Sequence, residues 1–280
     1  MKCPICSSDS QRKFEVKNYW IRDCLSCDHR FTELLPNDNH IEEIYDDSYF
    51  NGGGAGYADY LAEKDLLIKR GEWYAKLVSD YVETGKVLDV GAAAGFLLKG
   101  LTEKGWKGTG VEPNRTMAEF GRKNLNLNIE TSSVETYNSP ERFDLVTMIQ
   151  VMAHFKNPRE VLIHVSDMLK TNGFLLIETW NRNSYSEKIF GTKWHEYSPP
   201  SVLQFFSDES LNKLAFERGF EHVASGRPSK WISVGHARSL IIHKYGVNSF
   251  FSKLFEIFPS KWKIPYPSED LFWVIYKKSH

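Results

Sequence analysis

A ten-residue stretch, Val87-Leu88-Asp89-Val90-Gly91-Ala92-Ala93-Ala94-Gly95-Phe96, constrains the fold more than any other part of this chain. Its apolar start reads as a buried strand, its two glycines as a tight turn, and Phe96 as the start of a helix. The alternation then repeats. Residues 108–112, 143–149 and 174–179 read as strands, and 96–104, 114–124 and 158–170 as helices. Asn157 caps the last of these, with Pro158 at its first position. Such alternation predicts an α/β fold whose parallel sheet is covered on both faces. A helical pattern over 59–82 precedes it, Ser207 caps a further helix reaching Arg218, and 271–276 reads as a closing strand.

The turn also selects its ligand. A dinucleotide fingerprint needs glycine at three positions, so that pyrophosphate can sit on the helix N-terminus. Ala93 and Phe96 stand at the second and third of these, so that fingerprint fails. S-adenosylmethionine (SAM) carries no phosphate and tolerates Ala93. It calls for an acid at the end of the first strand, here Asp89, and another at the end of the second to hold the ribose hydroxyls. Glu112 stands there, 23 residues on, and its two oxygens can each accept one hydroxyl proton.

With these residues the chain resembles class I SAM-dependent methyltransferases. VLDVGAAAGF is similar to their first motif and GVEP at 110–113 to the second. ERFDLVTMIQVMAHFKNP at 141–158 is similar to the fourth, and LKTNGFLLIET at 169–179 to the one that follows. The resemblance implies a Rossmann-like, mostly parallel seven-stranded sheet. It also implies cofactor contacts from Asp89, Gly91, Ala93, Gly95, Phe96, Glu112, Pro113 and Gln150, with Tyr57 from a glycine-rich loop at 49–57. The family often places an acid near 132–134 for the adenine amino group. This chain has Thr131-Ser132-Ser133-Val134, so Ser133 is assigned that role.

All four cysteines fall in the first 27 residues, as Cys3-x2-Cys6 and, after seventeen residues, Cys24-x2-Cys27. Two such knuckles bring four thiolates to the corners of a tetrahedron, which suits structural Zn2+ better than two disulfides or an iron site. Phe14, Val16, Tyr19, Trp20 and Ile21 supply two short strands between them, so residues 1–35 read as a zinc ribbon. Residues 36–82 then read as a linker, a glycine and aromatic loop and a lid helix, and 83–280 as the methyltransferase domain, with an insertion at about 181–206. A closed four-thiolate site has no open coordination position, so the metal is expected to staple the appendage.

Methyl transfer to a hydroxyl or a carbon acid gains from a base. His154, after the fourth strand, and His195 and Tyr197, in Trp194-His195-Glu196-Tyr197, are the candidates. His164 lies inside a helix and reads as structural. Met152-Ala153-His154, and the 194–197 run followed by Phe205-Phe206-Ser207, resemble zinc-ribbon nucleotide-sugar C-methyltransferases. Trp194 and Tyr197 depart from that family, which has Tyr and its His base there. The resemblance implies a small-molecule acceptor, a sugar, nucleotide-sugar or polysaccharide precursor, methylated on oxygen or carbon. An RNA or protein methyltransferase docking its substrate through the ribbon is one alternative, and a non-catalytic SAM-binding protein another.

Composition bears on the partners. Lys and Arg number 35 against 36 Asp and Glu, a net charge of −1 that argues against nucleic-acid and anionic-membrane binding. Hydrophobic residues at 41% and charged residues at 25% exclude disorder. No apolar run approaches the roughly 18 residues of a transmembrane helix, and the first residues lack a signal peptide's apolar core. A cytoplasmic monomer or homodimer is expected.

Overall fold

The structure is a computed structural model and describes residues 1–34, 60–245, 257–266 and 268–279. β1 (Ser10–Val16) and β2 (Tyr19–Cys24) form a hairpin closed at Lys17 and Asn18, whose φ values are 49° and 66°. Both positive φ values define the mirror-image two-residue turn whose twist matches the strands it joins. β3 (Arg30–Thr32) pairs with the other side of β2.

From α1 (Lys64–Val78) onward, strands and helices alternate as the apolar pattern predicts. β4 (Lys86–Val90) leads to α2 (Phe96–Glu103), and β5 (Lys107–Glu112) to α3 (Arg115–Leu125). β6 (Asn128–Thr131) and β7 (Phe143–Ile149) follow, then α4 (Pro158–Met168). β8 (Leu169–Trp180) starts earlier than the expected 174, because Leu169 already turns extended and pairs with Phe143. α5 (Tyr185–Phe190) and the two-residue β9 (Gln204–Phe205) precede α6 (Asp208–Phe216), which Ser207 caps reciprocally with Ser210. β10 (Phe220–Gly226), β11 (Lys230–Ser233), α7 (Val234–Tyr245), β12 (Lys263–Tyr266) and β13 (Leu271–Lys278) complete the described chain.

The central sheet has seven strands in the order β10-β13-β8-β7-β4-β5-β6. β4 to β8 run parallel, while β13 and β10 add antiparallel at one edge. Leu88, Val146 and Ile177 enter the core on one face, and their neighbours Val87, Leu145 and Leu176 the core on the other. Burial on both faces is why these strands read as continuous apolar runs. The chain leaves β4 toward β5 on one side while β7 lies on the other, so the strand order reverses there. A crevice opens beyond the strand ends at such a point.

Two facing glycines fix α1 against α2. A Cβ on Gly71 would lie 2.1 Å from the Leu97 carbonyl oxygen, and one on Gly100 would lie 2.2 Å from that of Ile68. The backbones meet only because neither residue has a side chain, which sets α1 beside the turn that α2 follows.

Candidate active site

Beyond β4 the turn is built from left-handed residues: Gly91, Ala93 and Gly95 have φ of 71°, 47° and 79°. A Cβ on Gly91 would sit 2.4 Å from Val151 Cγ1, so glycine is required there for space as well as for φ. The Gly91 and Ala92 amides donate to the Val111 carbonyl at 2.8 and 3.1 Å, and the Ala93 amide donates to Glu112 Oε2 at 2.8 Å. Glu112 Oε1 accepts from the Asn114 amide at 2.8 Å, and Asn114 Oδ1 in turn caps α3 by accepting from the Met117 amide at 2.8 Å. One carboxylate thus ties both loops at the ends of β4 and β5.

Asp89 is buried beside it. The Thr147 hydroxyl donates to its Oδ1 at 2.6 Å, and Oδ2 is buried with no hydrogen-bond partner. Burial pushes Asp89 up to about 7, with the neighbouring Glu112 charge adding to the rise. Glu112 is likewise pushed up to about 7 by burial, against the pull of its two amide donors. A buried carboxylate oxygen without a partner is costly unless something donates to it. Two buried acids at adjacent strand ends, beside a turn of left-handed residues, suit a ligand rich in hydroxyls and carrying positive charge, as SAM is.

The other expected contacts are spread around this turn. Phe96 stacks on Tyr60, ring centroids 5.3 Å apart, and meets Phe120 edge-on at 6.0 Å. Pro113 is half-buried in the loop between Glu112 and Asn114. The Ser133 carbonyl accepts from the amides of Thr136 and Tyr137, so Ser133 opens a turn after β6. Tyr57 lies outside the described residues. Gln150 has a φ of 60°, and its Nε2 donates to Glu178 Oε1 at 2.9 Å. Arg70 and the Tyr74 hydroxyl, both on α1, also donate to the fully buried Glu178. This network was missed in the sequence. Its one visible signal is a glutamate ending the apolar run Leu175-Leu176-Ile177.

Among the base candidates, His195 lies edge-on to Trp180, the last residue of β8, at 4.7 Å. Its Nε2 faces Glu196 Oε1 at 3.4 Å and Asp270 Oδ2 at 3.8 Å. His154 Nδ1 is 2.7 Å from the Ser201 carbonyl oxygen. Tyr197 corrects the expectation that it could act as base. Its hydroxyl is buried, donates to Glu187 Oε1 at 2.7 Å and accepts from Arg30 at 2.5 Å. Burial drives its pKa well above the ordinary tyrosine value, and the Glu187 carboxylate adds to the rise. His164 Nε2 meets the Tyr137 carbonyl, consistent with its structural reading.

The four cysteines converge. Their sulfurs all lie within 4.8 Å of one another, with Cys3–Cys27 at 3.7 Å and Cys6–Cys24 and Cys24–Cys27 at 3.5 Å. A tetrahedral site with metal–sulfur bonds of about 2.3 Å has edges of about 3.8 Å. Amides of Ile5 and Ser26 point at the sulfurs of Cys3 and Cys24, at 3.4 and 3.3 Å, which favours thiolates there.

The cysteine module is bonded to the segment that carries His195. β3 pairs with β9, making a four-stranded sheet β1-β2-β3-β9. The Arg30 guanidinium makes a bidentate pair with Asp23, at 2.5 and 2.9 Å, and reaches Glu187 at 2.9 Å. His29 Nε2 meets Gln204 Oε1 at 2.9 Å, and Arg182 Nη1 donates to the Asp28 carbonyl at 3.0 Å.

Comparison with known proteins agrees with this architecture. The methyltransferase domain family model matches residues 64–225, and the chain belongs to that family. Ubiquinone biosynthesis O-methyltransferase of Bradyrhizobium diazoefficiens is 30% identical over 166 residues, covering 52% of this chain and 64% of that protein. The enzyme of the same name from Photobacterium profundum is 32% identical over 159 residues, covering 53% and 60%. The match thus spans less than two thirds of the length of either relative. A candidate methyltransferase from Bacillus halodurans shares the fold at 14% identity, with a TM-score of 0.54 over 75% of this chain and 99% of that one. No helix among the described residues is long and apolar enough to cross a membrane.

Proposed function

We propose that this protein transfers a methyl group from SAM to a hydroxyl of a small-molecule acceptor. The observation that carries the reading is the pair Asp89 and Glu112, buried at the ends of neighbouring parallel strands around the Gly91–Gly95 turn. SAM, when bound, supplies an electrophilic methyl carbon on its sulfonium. Glu112 would hold the ribose hydroxyls, and Asp89 Oδ2 would meet the cationic end. Gly91, Ala93, Gly95, Phe96, Pro113, Ser133 and Gln150 would line the rest of the cofactor site. The Arg70–Glu178–Gln150 network fixes the backbone at the end of β7.

His195 is the residue we assign as base. With Nε2 turned toward two carboxylates, the ring proton belongs on Nε2 and Nδ1 takes the acceptor's proton as its oxygen is alkylated. Asp270 and Glu196 then stabilise the imidazolium. His154, whose Nδ1 meets the Ser201 carbonyl oxygen, is the second candidate. Oxygen methylation is favoured over carbon methylation, because Tyr197 is raised and engaged rather than activated. The relatives named for an O-methylation in ubiquinone biosynthesis support a small-molecule hydroxyl. A sugar or nucleotide-sugar acceptor is a narrower version, supported by the likeness of 152–154 and 194–197 to the sugar enzymes. The same reading places Zn2+ on Cys3, Cys6, Cys24 and Cys27, and the protein in the cytoplasm.

The test is methyl transfer from labelled SAM into a cell extract split into small-molecule, RNA and protein fractions. Label in the small-molecule fraction, on an oxygen located by NMR, is expected. Label in RNA or protein overturns the acceptor assignment, and no transfer with intact SAM binding leaves a binding protein. Elemental analysis should find one zinc per chain; none would remove the metal assignment.

A further inference from the structure

The net charge of −1 averages over a segregated distribution. Residues 226–266 contain seven Lys and Arg against one acid, Glu256. The described part of that segment has no acid at all.

β11 and β12 form a two-stranded ribbon separate from the main sheet, pairing Trp231 with Pro265 and Ser233 with Lys263. Side chains alternate along a strand, so Trp231, Ser233, Lys263 and Pro265 share one face and Ile232 and Ile264 the other. Ile232 is buried, whereas Trp231 is 50% exposed and Lys263 and Pro265 are exposed. Beside this outer face, Phe258 and Trp262 lie with ring centroids 6.1 Å apart. Trp262 is 58% and Ile257 75% exposed, with Lys261 exposed next to them. Large apolar side chains at least 44% exposed, interleaved with lysines and with Glu63 at the Ser233 end as the acid that meets this face, match a water–bilayer boundary. Indole rings settle at headgroup level there, and lysine stems lie along apolar surface while their ammonium groups reach lipid phosphates. A single-stranded nucleic acid would also stack on the indoles but gives Ile257 no role.

We propose that the outer face of the β11–β12 ribbon, with the adjoining 257–262 turn, docks the protein on an anionic phospholipid surface. This holds whether or not the chain is a methyltransferase. The Ser233 hydroxyl donates to Glu63 Oε1 at 2.5 Å, just before α1. Arg70, which reaches Glu178, lies seven residues on, about 10 Å along the helix. The ribbon is thereby tied to the start of the helix that reaches Glu178 near the end of β8.

The test is co-sedimentation of the full chain with vesicles of phosphatidylcholine alone, or with about a third phosphatidylglycerol. Pelleting with the anionic vesicles only is expected, weakening as salt rises, with a blue shift of tryptophan fluorescence. A Lys261→Glu/Lys263→Glu variant should bind at least about tenfold more weakly, with an unchanged melting temperature showing that it folds. Trp231→Ser/Trp262→Ser should also release the protein and abolish the blue shift. Failure to pellet with anionic vesicles, equal pelleting with neutral ones, or full binding by the charge-reversed variant overturns the proposal. Retention on an RNA oligonucleotide in preference to vesicles overturns it in favour of nucleic acid.

Discussion

Arg30 and Tyr197 meet across 167 residues of chain, the guanidinium donating to the phenol oxygen at 2.5 Å while both engage Glu187. The contact welds the cysteine module to the segment that holds His195. Removing Arg30 leaves the half-buried Glu187 carboxylate without its cation and Asp23 with Arg182 alone, at 3.6 Å. Arg30→Met should therefore cost about 1–3 kcal/mol in urea unfolding. Arg30→Lys should recover only part of that, because an ammonium cannot reproduce the planar fork. SAM affinity measured by calorimetry should hardly change in either variant, since the cofactor turn lies elsewhere.

The raised carboxyls predict a pH dependence of the protein without SAM. Folded Asp89 and Glu112 keep their protons up to about pH 7, whereas in the unfolded chain they lose them near pH 4. The folded state thus binds more protons between those limits, and its stability falls as pH rises through them. Melting temperature should decline from about pH 5 to about pH 7.5. Asp89→Asn and Glu112→Gln should each flatten that decline, and a profile unchanged in both variants would refute the assignment. Glu112→Ala should in addition weaken SAM binding by about tenfold or more, the loss of a charge-assisted hydrogen bond.

At the α1–α2 crossing, Gly100→Ala must push a backbone carbonyl and amide away, since the added Cβ would lie 2.2 Å from the Ile68 oxygen and 2.6 Å from the Glu72 amide nitrogen. Overpacking of this kind costs about 1–3 kcal/mol. A chemical denaturation series should show it, and SAM affinity should drop as well, because α1 carries Arg70 and Tyr74 to Glu178.

His195→Gln should lower the turnover number by about 10²–10⁴ while leaving SAM affinity intact. Asp270→Asn should lower turnover less and shift the acid limb of the pH–rate profile. A His195 variant with normal turnover would pass the base role to another group, His154 being the first to examine.

The parts of the site visible in the sequence are those fixed by local rules. Asp89, Gly91 and Glu112 could be found because a strand end, a left-handed turn and the next strand end fall at set intervals. Glu178 ends an apolar run but gives no local sign of its role, because Arg70, its buried partner, stands 108 residues earlier and only the fold brings them together. The surroundings of Tyr197 are hidden for the same reason: they come from Arg30 and Glu187, and no local pattern announces either. β9 is two residues inside the apolar run Val202-Leu203-Gln204-Phe205-Phe206, too short for any periodicity, and exists because β3 offers it an edge.

That borrowed edge has a consequence for synthesis. The cysteine hairpin leaves the ribosome before the segment that carries β9, so the free side of β3 waits for Gln204 and Phe205. At about 5–20 residues per second, the wait is roughly 10–35 seconds. During it the nascent chain displays the unpaired backbone of Arg30 and Phe31, a template for pairing with another copy. Slow translation or crowded polysomes should therefore favour aggregation through this short strand, and only arrival of the distant segment ends the exposure.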